Sequence, residues 1–150
     1  MLGLPRRNPY PNNEFNVSEE ISLFKYGKNI NILIADDDRL TRSVLRLLLQ
    51  EQLYTVIGEA TDGEKAVEMC LGLKPDIAFL DIDMPKLTGH QAALQIKQDN
   101  SDIKVVMISA LATASNVQQA MQAGASGFVV KPFNAIKVIE AIDLCLKRSA

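Results

Sequence analysis

The chain is poor in cysteine and histidine, has no surplus of positive charge, and has no long hydrophobic run. Its two cysteines, Cys70 and Cys145, fall within predicted helices far apart in sequence and have no metal-ligand spacing. Unpaired buried thiols are therefore expected, in keeping with a reducing cytoplasm. His90 is the only histidine. It follows Gly89, has no partner at metal-binding spacing, and reads as a surface residue. A net charge of −2 at pH 7 leaves no basic surface to attract nucleic acid or an anionic membrane. No apolar run reaches the ~18 residues of a membrane span. The first thirty or so residues lack the apolar core of a signal peptide. The expectation is a soluble cytoplasmic protein with no direct nucleic-acid or membrane contact.

A chain of 150 residues, 47% of them hydrophobic, can bury one ordinary core. It divides into an N-terminal extension, residues 1–29, and a body, residues 30–150. The stretch from Met1 to Asn16 carries three prolines and four asparagines without periodicity, and is expected to be extended or disordered. Ser18 can cap a short helix at about 18–25, with Glu19 and Glu20 at the favourable end of its dipole. Ile21, Leu23 and Phe24 would let that segment dock on the domain or on a partner.

Beyond Asn31, short runs rich in valine and isoleucine alternate with segments of helical period. Strands are predicted at 32–35, 55–59, 77–80, 105–108 and 128–130. Helices are predicted between them and after the last, marked by Val44, Leu45, Leu48 and Leu49; by Ala66, Val67, Cys70 and Leu71; by Ala92, Ala93 and Ile96; by Val117, Ala120 and Met121; and by Ile136, Ile139, Ile142 and Leu146. Pro75 stops the second helix, and Gly124 caps the fourth. Strands that are apolar throughout, alternating with helices, predict an α/β fold: a single doubly wound five-stranded parallel sheet covered on both faces, with right-handed crossovers.

Ligands of such sheets bind at the carboxyl ends of the strands, beside the switch point in strand order. The polar residues of this chain gather there. Asp36-Asp37-Asp38 follows the first strand, Asp81-Ile82-Asp83 the third, Ser109 the fourth and Lys131-Pro132 the fifth. Acids are poor strand residues and costly to bury unpaired. Asp36, Asp37 and Asp81, if crowded together, must share a proton, titrate as a set or hold a cation; Mg2+ suits the site, taking oxygen ligands and preferring one or two carboxylates plus a phosphate. Asp81 is then a candidate nucleophile for a phosphoryl group, with Lys131 and Ser109 neutralising or bonding the transferring oxygens. Asp38 reads as a helix cap.

These residues, in this order, resemble the receiver domain of two-component response regulators. The matching pieces are Ile34-Ala35-Asp36-Asp37-Asp38, Phe79-Leu80-Asp81-Ile82-Asp83-Met84-Pro85 with Gly89, Met107-Ile108-Ser109-Ala110, and the run from Gly124 to Phe133. The resemblance implies a flavodoxin-like (β/α)5 fold with strand order 2-1-3-4-5, the order of the chemotaxis receiver protein. It implies Asp81 as phospho-acceptor. Magnesium would be held by Asp37, Asp81 and the backbone carbonyl of Asp83, with Asp36 acting largely through water. Ser109, Ala110 and Lys131 would contact the phosphoryl group, and Ser109 and Phe128 would form the switch. A sensor histidine kinase or histidine phosphotransfer protein would be the donor, and a downstream protein would bind a face of the fourth helix, fifth strand and fifth helix, including Asn116, Gln119, Met121, Phe128 and Lys137. A homodimer is compatible with this. With no output domain after Ala150, a stand-alone regulator is expected, not an enzyme beyond its own phosphorylation and dephosphorylation.

Two features modulate the pattern. Phe128 lacks the hydroxyl of the tyrosine often found there, and Asp83 adds negative charge at the mouth of the site. Two other readings compete. Leu80-Asp81-Ile82-Asp83 matches the Asp-x-Asp of haloacid-dehalogenase-type phosphatases, but on the third strand and without a cap segment. A receiver-like docking module that is never phosphorylated would usually lack one of the acids or the lysine, all of which are kept.

Overall fold

The structure, a computed structural model, describes residues 29–147. The proposed helix at 18–25 and most of the N-terminal extension lie outside the described residues. Five strands, β1 (Asn31–Ala35), β2 (Thr55–Ala60), β3 (Ile77–Asp81), β4 (Lys104–Ser109) and β5 (Gly127–Val130), alternate with five helices. The helices are α1 (Arg39–Glu51), α2 (Gly63–Leu73), α3 (Gly89–Asp99), α4 (Ala114–Gln122) and α5 (Ala135–Lys147). Among the described residues no helix is long and apolar enough to cross a membrane.

All strand pairs are parallel, in the order β2-β1-β3-β4-β5. The pleat sends alternate side chains to opposite faces, and each face has its own core. Leu33, Ala35, Ala78, Leu80, Val105 and Met107 meet α2, α3 and α4 through Ala66, Cys70, Ala92, Ile96 and Ala120. Ile32, Ile34, Ile77, Phe79, Val106 and Ile108 meet α1 and α5 through Leu45, Leu49, Val138 and Ile142. Phe79 is fully buried at the centre of the second core, where truncation to alanine costs about 3–5 kcal/mol.

Two helix faces depart from expectation. Val44 on α1 and Ile136 on α5 are exposed, and the core faces are Leu45 and Leu49 on α1, and Val138, Ala141, Ile142 and Cys145 on α5. A helix lying on a sheet buries a narrow stripe, so an apolar residue one step off that stripe points to its flank.

Each of the first four helices begins at the carboxyl edge of the sheet with a side-chain cap. Asp38 accepts from the Thr41 N–H at 2.9 Å and Asp62 from the Lys65 N–H at 2.8 Å. Thr88 and Gln91 form a reciprocal capping box, and Thr113 accepts from the Asn116 N–H. The order 2-1-3-4-5 puts the switch point between β1 and β3, where the chain leaves toward opposite faces and opens a crevice. The loop after β3 is held shut by close approach: the Gly89 N–H donates to the Ile82 carbonyl at 2.9 Å, and a Cβ on Gly89 would lie 2.5 Å from the Asp81 carbonyl oxygen.

Candidate functional site

The crevice is walled by residues from the ends of β1, β3, β4 and β5. Asp36 directly continues β1: its N–H donates to the Ala60 carbonyl at 3.1 Å, which extends the sheet by one residue and buries its side chain completely. Its Oδ1 accepts from the Asp38 N–H at 2.9 Å. Its Oδ2 stands 2.8 Å from Lys131 Nζ, without the alignment of a hydrogen bond, so the contact is an ion pair. Asp37, next in the loop, is exposed. Asp81 ends β3 and is buried, with Oδ1 3.4 Å from the same ammonium.

Asp36, Asp37 and Asp81 thus present one oxygen each, all within 4.8 Å of one another. Three carboxylates face one ammonium. Burial first, and then the neighbouring negative charge of Asp36, push the Asp81 carboxyl up to about 6; Lys131 and a backbone bond from Asp83 pull the other way and are outweighed. At Lys131 burial works against the charged form, but the contacts with Asp36 and Asp81 exceed it and raise its pKa above the ordinary lysine value. A shared all-oxygen set with surplus negative charge and one exposed member fits a hard divalent cation such as Mg2+.

Lys131 is fixed from its backbone outward. Its N–H donates to the Ser109 carbonyl at 2.8 Å, tying the ends of β4 and β5 together, and its peptide bond to Pro132 is cis. Ser109 is buried on the same rim, but its hydroxyl is engaged in its own loop. It donates to the Leu111 carbonyl and accepts from the Leu111 N–H, each at 3.1 Å. Ala110 is exposed beside it. Phe128 is half-buried against the core on the α2–α4 side of the sheet. The Asp83 side chain is exposed at the mouth. An open, mainly apolar cleft of ≈ 430 Å³ beside Lys131 is lined by Leu40, Val44 and Phe133.

His90 is not the surface residue the sequence suggested. It is half-buried, and both ring nitrogens are shielded without a hydrogen-bond partner among the described residues. Burial holds its pKa below the ordinary histidine value despite the opposing pull of Asp83. A local sequence pattern does not reveal such burial. Three residues near the site went unnoticed in the sequence: Arg42, Arg46 and Glu59. Arg42 Nη1 donates to the Asp36 carbonyl at 2.8 Å while its Nε faces Glu59 Oε1 at 3.3 Å, and Arg46 pairs with Glu59 Oε2. The available signal was a basic residue one helical turn past the acidic loop. Its second partner, on β2, shows only in three dimensions.

Comparison with known proteins agrees with this fold. The family model described as the response regulator receiver domain matches residues 32–143. Chemotaxis protein CheY of Thermotoga maritima is 39% identical over 112 residues, covering 75% of this chain and 93% of that protein. Chemotaxis protein CheY of Bacillus subtilis is 40% identical over 115 residues, covering 77% and 96%. Among solved structures, the CheX–CheY–BeF3–Mg2+ complex of Borrelia burgdorferi superimposes with a TM-score of 0.73 at 34% identity, covering 76% of this chain and 87% of the matched one.

Proposed function

The chain belongs to the response regulator receiver domain family, and on that footing we propose that Asp81 is the residue that takes up the phosphoryl group. One observation carries the assignment: of the two buried acids in the cluster, Asp81 alone ends a strand and has Lys131 3.4 Å from a carboxylate oxygen without being the lysine's closest partner. Asp36 holds the ammonium more tightly, which leaves the Asp81 oxygen the more available nucleophile.

In the transfer, an Asp81 carboxylate oxygen attacks the phosphorus of a phosphohistidine. The P–O bond forms as the P–N bond breaks, and the imidazole of the donor leaves with the electron pair. Lys131 meets one transferring oxygen with a point charge, and Asp36 keeps that ammonium aimed into the crevice. Ser109 offers its hydroxyl, and the Ala110 N–H a backbone donor, to the remaining oxygens. When bound, Mg2+ neutralises part of the charge on those oxygens; Asp37, Asp81 and the Asp83 carbonyl would hold it, with Asp36 acting through water. The Asp83 side chain, two residues past Asp81 and exposed, would repel or orient the hydrolytic water and so tune the lifetime of the acyl phosphate.

The donor is a sensor histidine kinase or a histidine phosphotransfer protein. Adding about −1.5 to −2 charge units draws Ser109 toward the phosphoryl group and lets Phe128 turn inward, which changes the α4–β5–α5 face that a downstream protein reads. Met121, Val130 and Leu144 leave apolar area exposed on that face. The test is intact mass after treatment with a small phosphodonor and Mg2+. One added phosphoryl group is expected on the wild type and none on Asp81→Asn. Equal labelling of both would reject Asp81, and no labelling of the wild type would favour a docking module that is never phosphorylated.

A further inference from the structure

We propose that Arg42 is a positioning residue for the acidic loop, anchored from behind by Glu59. The inference rests on the reading of Asp36 and Asp37 as cation-binding acids and concerns what aims them. The loop from Asp36 to Asp38 is short, and most polar groups of its first residue are fixed. The Asp36 N–H is bound to Ala60, its Oδ1 to the Asp38 N–H, and its Oδ2 faces Lys131. What remains is the Asp36 carbonyl. It belongs to the peptide plane that joins Asp36 to Asp37, so its direction sets where the exposed Asp37 carboxylate can point.

Arg42 takes that carbonyl at 2.8 Å through Nη1. The opposite edge of the same guanidinium, Nε, faces Glu59 Oε1 at 3.3 Å, and the second oxygen of Glu59 is held by Arg46. A rigid planar fork is what this job needs, because two acceptors lie in fixed directions from one cation. The side chain of Arg42 is 14% exposed and that of Arg46 41%, so the inner arginine works in the more sheltered setting. Arg42 also does not neutralise the acids. It turns its second edge to the β2 strand, away from three carboxylates within 4.8 Å of one another. Its role is orientation, and Glu59 anchors that orientation to the edge of the sheet.

The experiment uses the full chain with Arg42→Gln, Arg42→Lys and Arg46→Gln. Two quantities are measured: the Mg2+ dissociation constant by calorimetry, and hydrogen exchange of the Asp36 and Asp38 amides in chelator. Melting midpoints in chelator confirm that each variant is folded. Arg42→Gln is expected to weaken Mg2+ binding by about tenfold, the usual scale for losing a group that orients a ligand, and to speed exchange at Asp38. Arg42→Lys should recover part of both effects, since an ammonium reaches the carbonyl or Glu59 but not both. Arg46→Gln should stay within about twofold of wild type, because it touches no atom of the loop. Wild-type values in Arg42→Gln would overturn the proposal, as would equal effects from Arg46→Gln. If the wild type itself fails to bind Mg2+, the cation-binding reading falls, while the exchange data still decide the role of Arg42.

Discussion

Replacing Asp81 by asparagine is expected to stabilise the metal-free protein, and the size of the gain can be worked from the site. Asp36 and Asp37 each place an oxygen within 4.8 Å of Asp81, a repulsion of roughly 3–4 kcal/mol apiece at an effective dielectric of 20. Lys131 at 3.4 Å returns about 5 kcal/mol on the same scale. Burial adds a further penalty, so the ionised form is disfavoured on balance. The Asp81 carboxyl, raised from 3.8 to about 6, gives the same sign and a gap of roughly 3 kcal/mol. An asparagine keeps the shape without the charge, so Asp81→Asn should be about 1–3 kcal/mol more stable at pH 8 in chelator. The sign with pH follows from the raised pKa. Between pH 6 and 4 the folded wild type binds its proton while the unfolded chain does not, so wild-type stability climbs as pH falls through that window. The advantage of the variant is therefore full above about pH 6 and gone near pH 4. Saturating Mg2+ should also shrink it, because only the wild type gains strongly by binding the ion. Urea unfolding followed by far-ultraviolet circular dichroism at pH 8 and pH 4 measures the gap. A variant no more stable than wild type at pH 8, or a gap independent of pH, would refute the reasoning.

Three further outcomes are expected. Lys131→Met leaves the acids uncompensated, so the Asp81 carboxyl should titrate higher still and the chelated protein should lose stability that Mg2+ partly restores; carboxyl 13C shifts and melting midpoints test both. Gly89→Ala forces a Cβ against the Asp81 carbonyl oxygen at 2.5 Å and should cost about 2–3 kcal/mol in urea unfolding along with weaker Mg2+ binding; wild-type values in both would show that the loop after β3 yields without strain. The Cys70 thiol is pushed up to about 12 by burial and Cys145 is buried as well, so a thiol reagent at pH 8 should label neither in the native protein and both in denaturant.

The sheet was legible because most of its strands are continuous apolar runs, which restricts them to the interior of a parallel sheet. The acids were legible because a carboxylate ending such a strand is costly without a purpose. Strand order followed from resemblance, and the pairing of β1 with both β2 and β3 bears it out. The parts that escaped have a common cause. Val44 and Ile136 are apolar at helical spacing, but helical period does not fix which edge of the stripe the sheet covers. His90 follows a loop whose path depends on Gly63 and Gly89: a Cβ on Gly63 would strike the Leu87 carbonyl oxygen at 2.1 Å. Arg42 and Glu59 are ordinary charged residues until β2 is laid beside β1. Local pattern reports which residues seek the interior; it does not report which backbones must touch.

The Ser109 hydroxyl both gives and receives a hydrogen bond with Leu111, a residue two places further along. An alcohol so occupied has its one proton committed, and any new acceptor must outbid the bond to the Leu111 carbonyl, worth about 0.5–1.5 kcal/mol net. The rim of β4 therefore rests in a well rather than on a slope. A weak acceptor in the crevice is expected to leave that proton in place, and an anion with strong oxygens held close to the rim to draw it over.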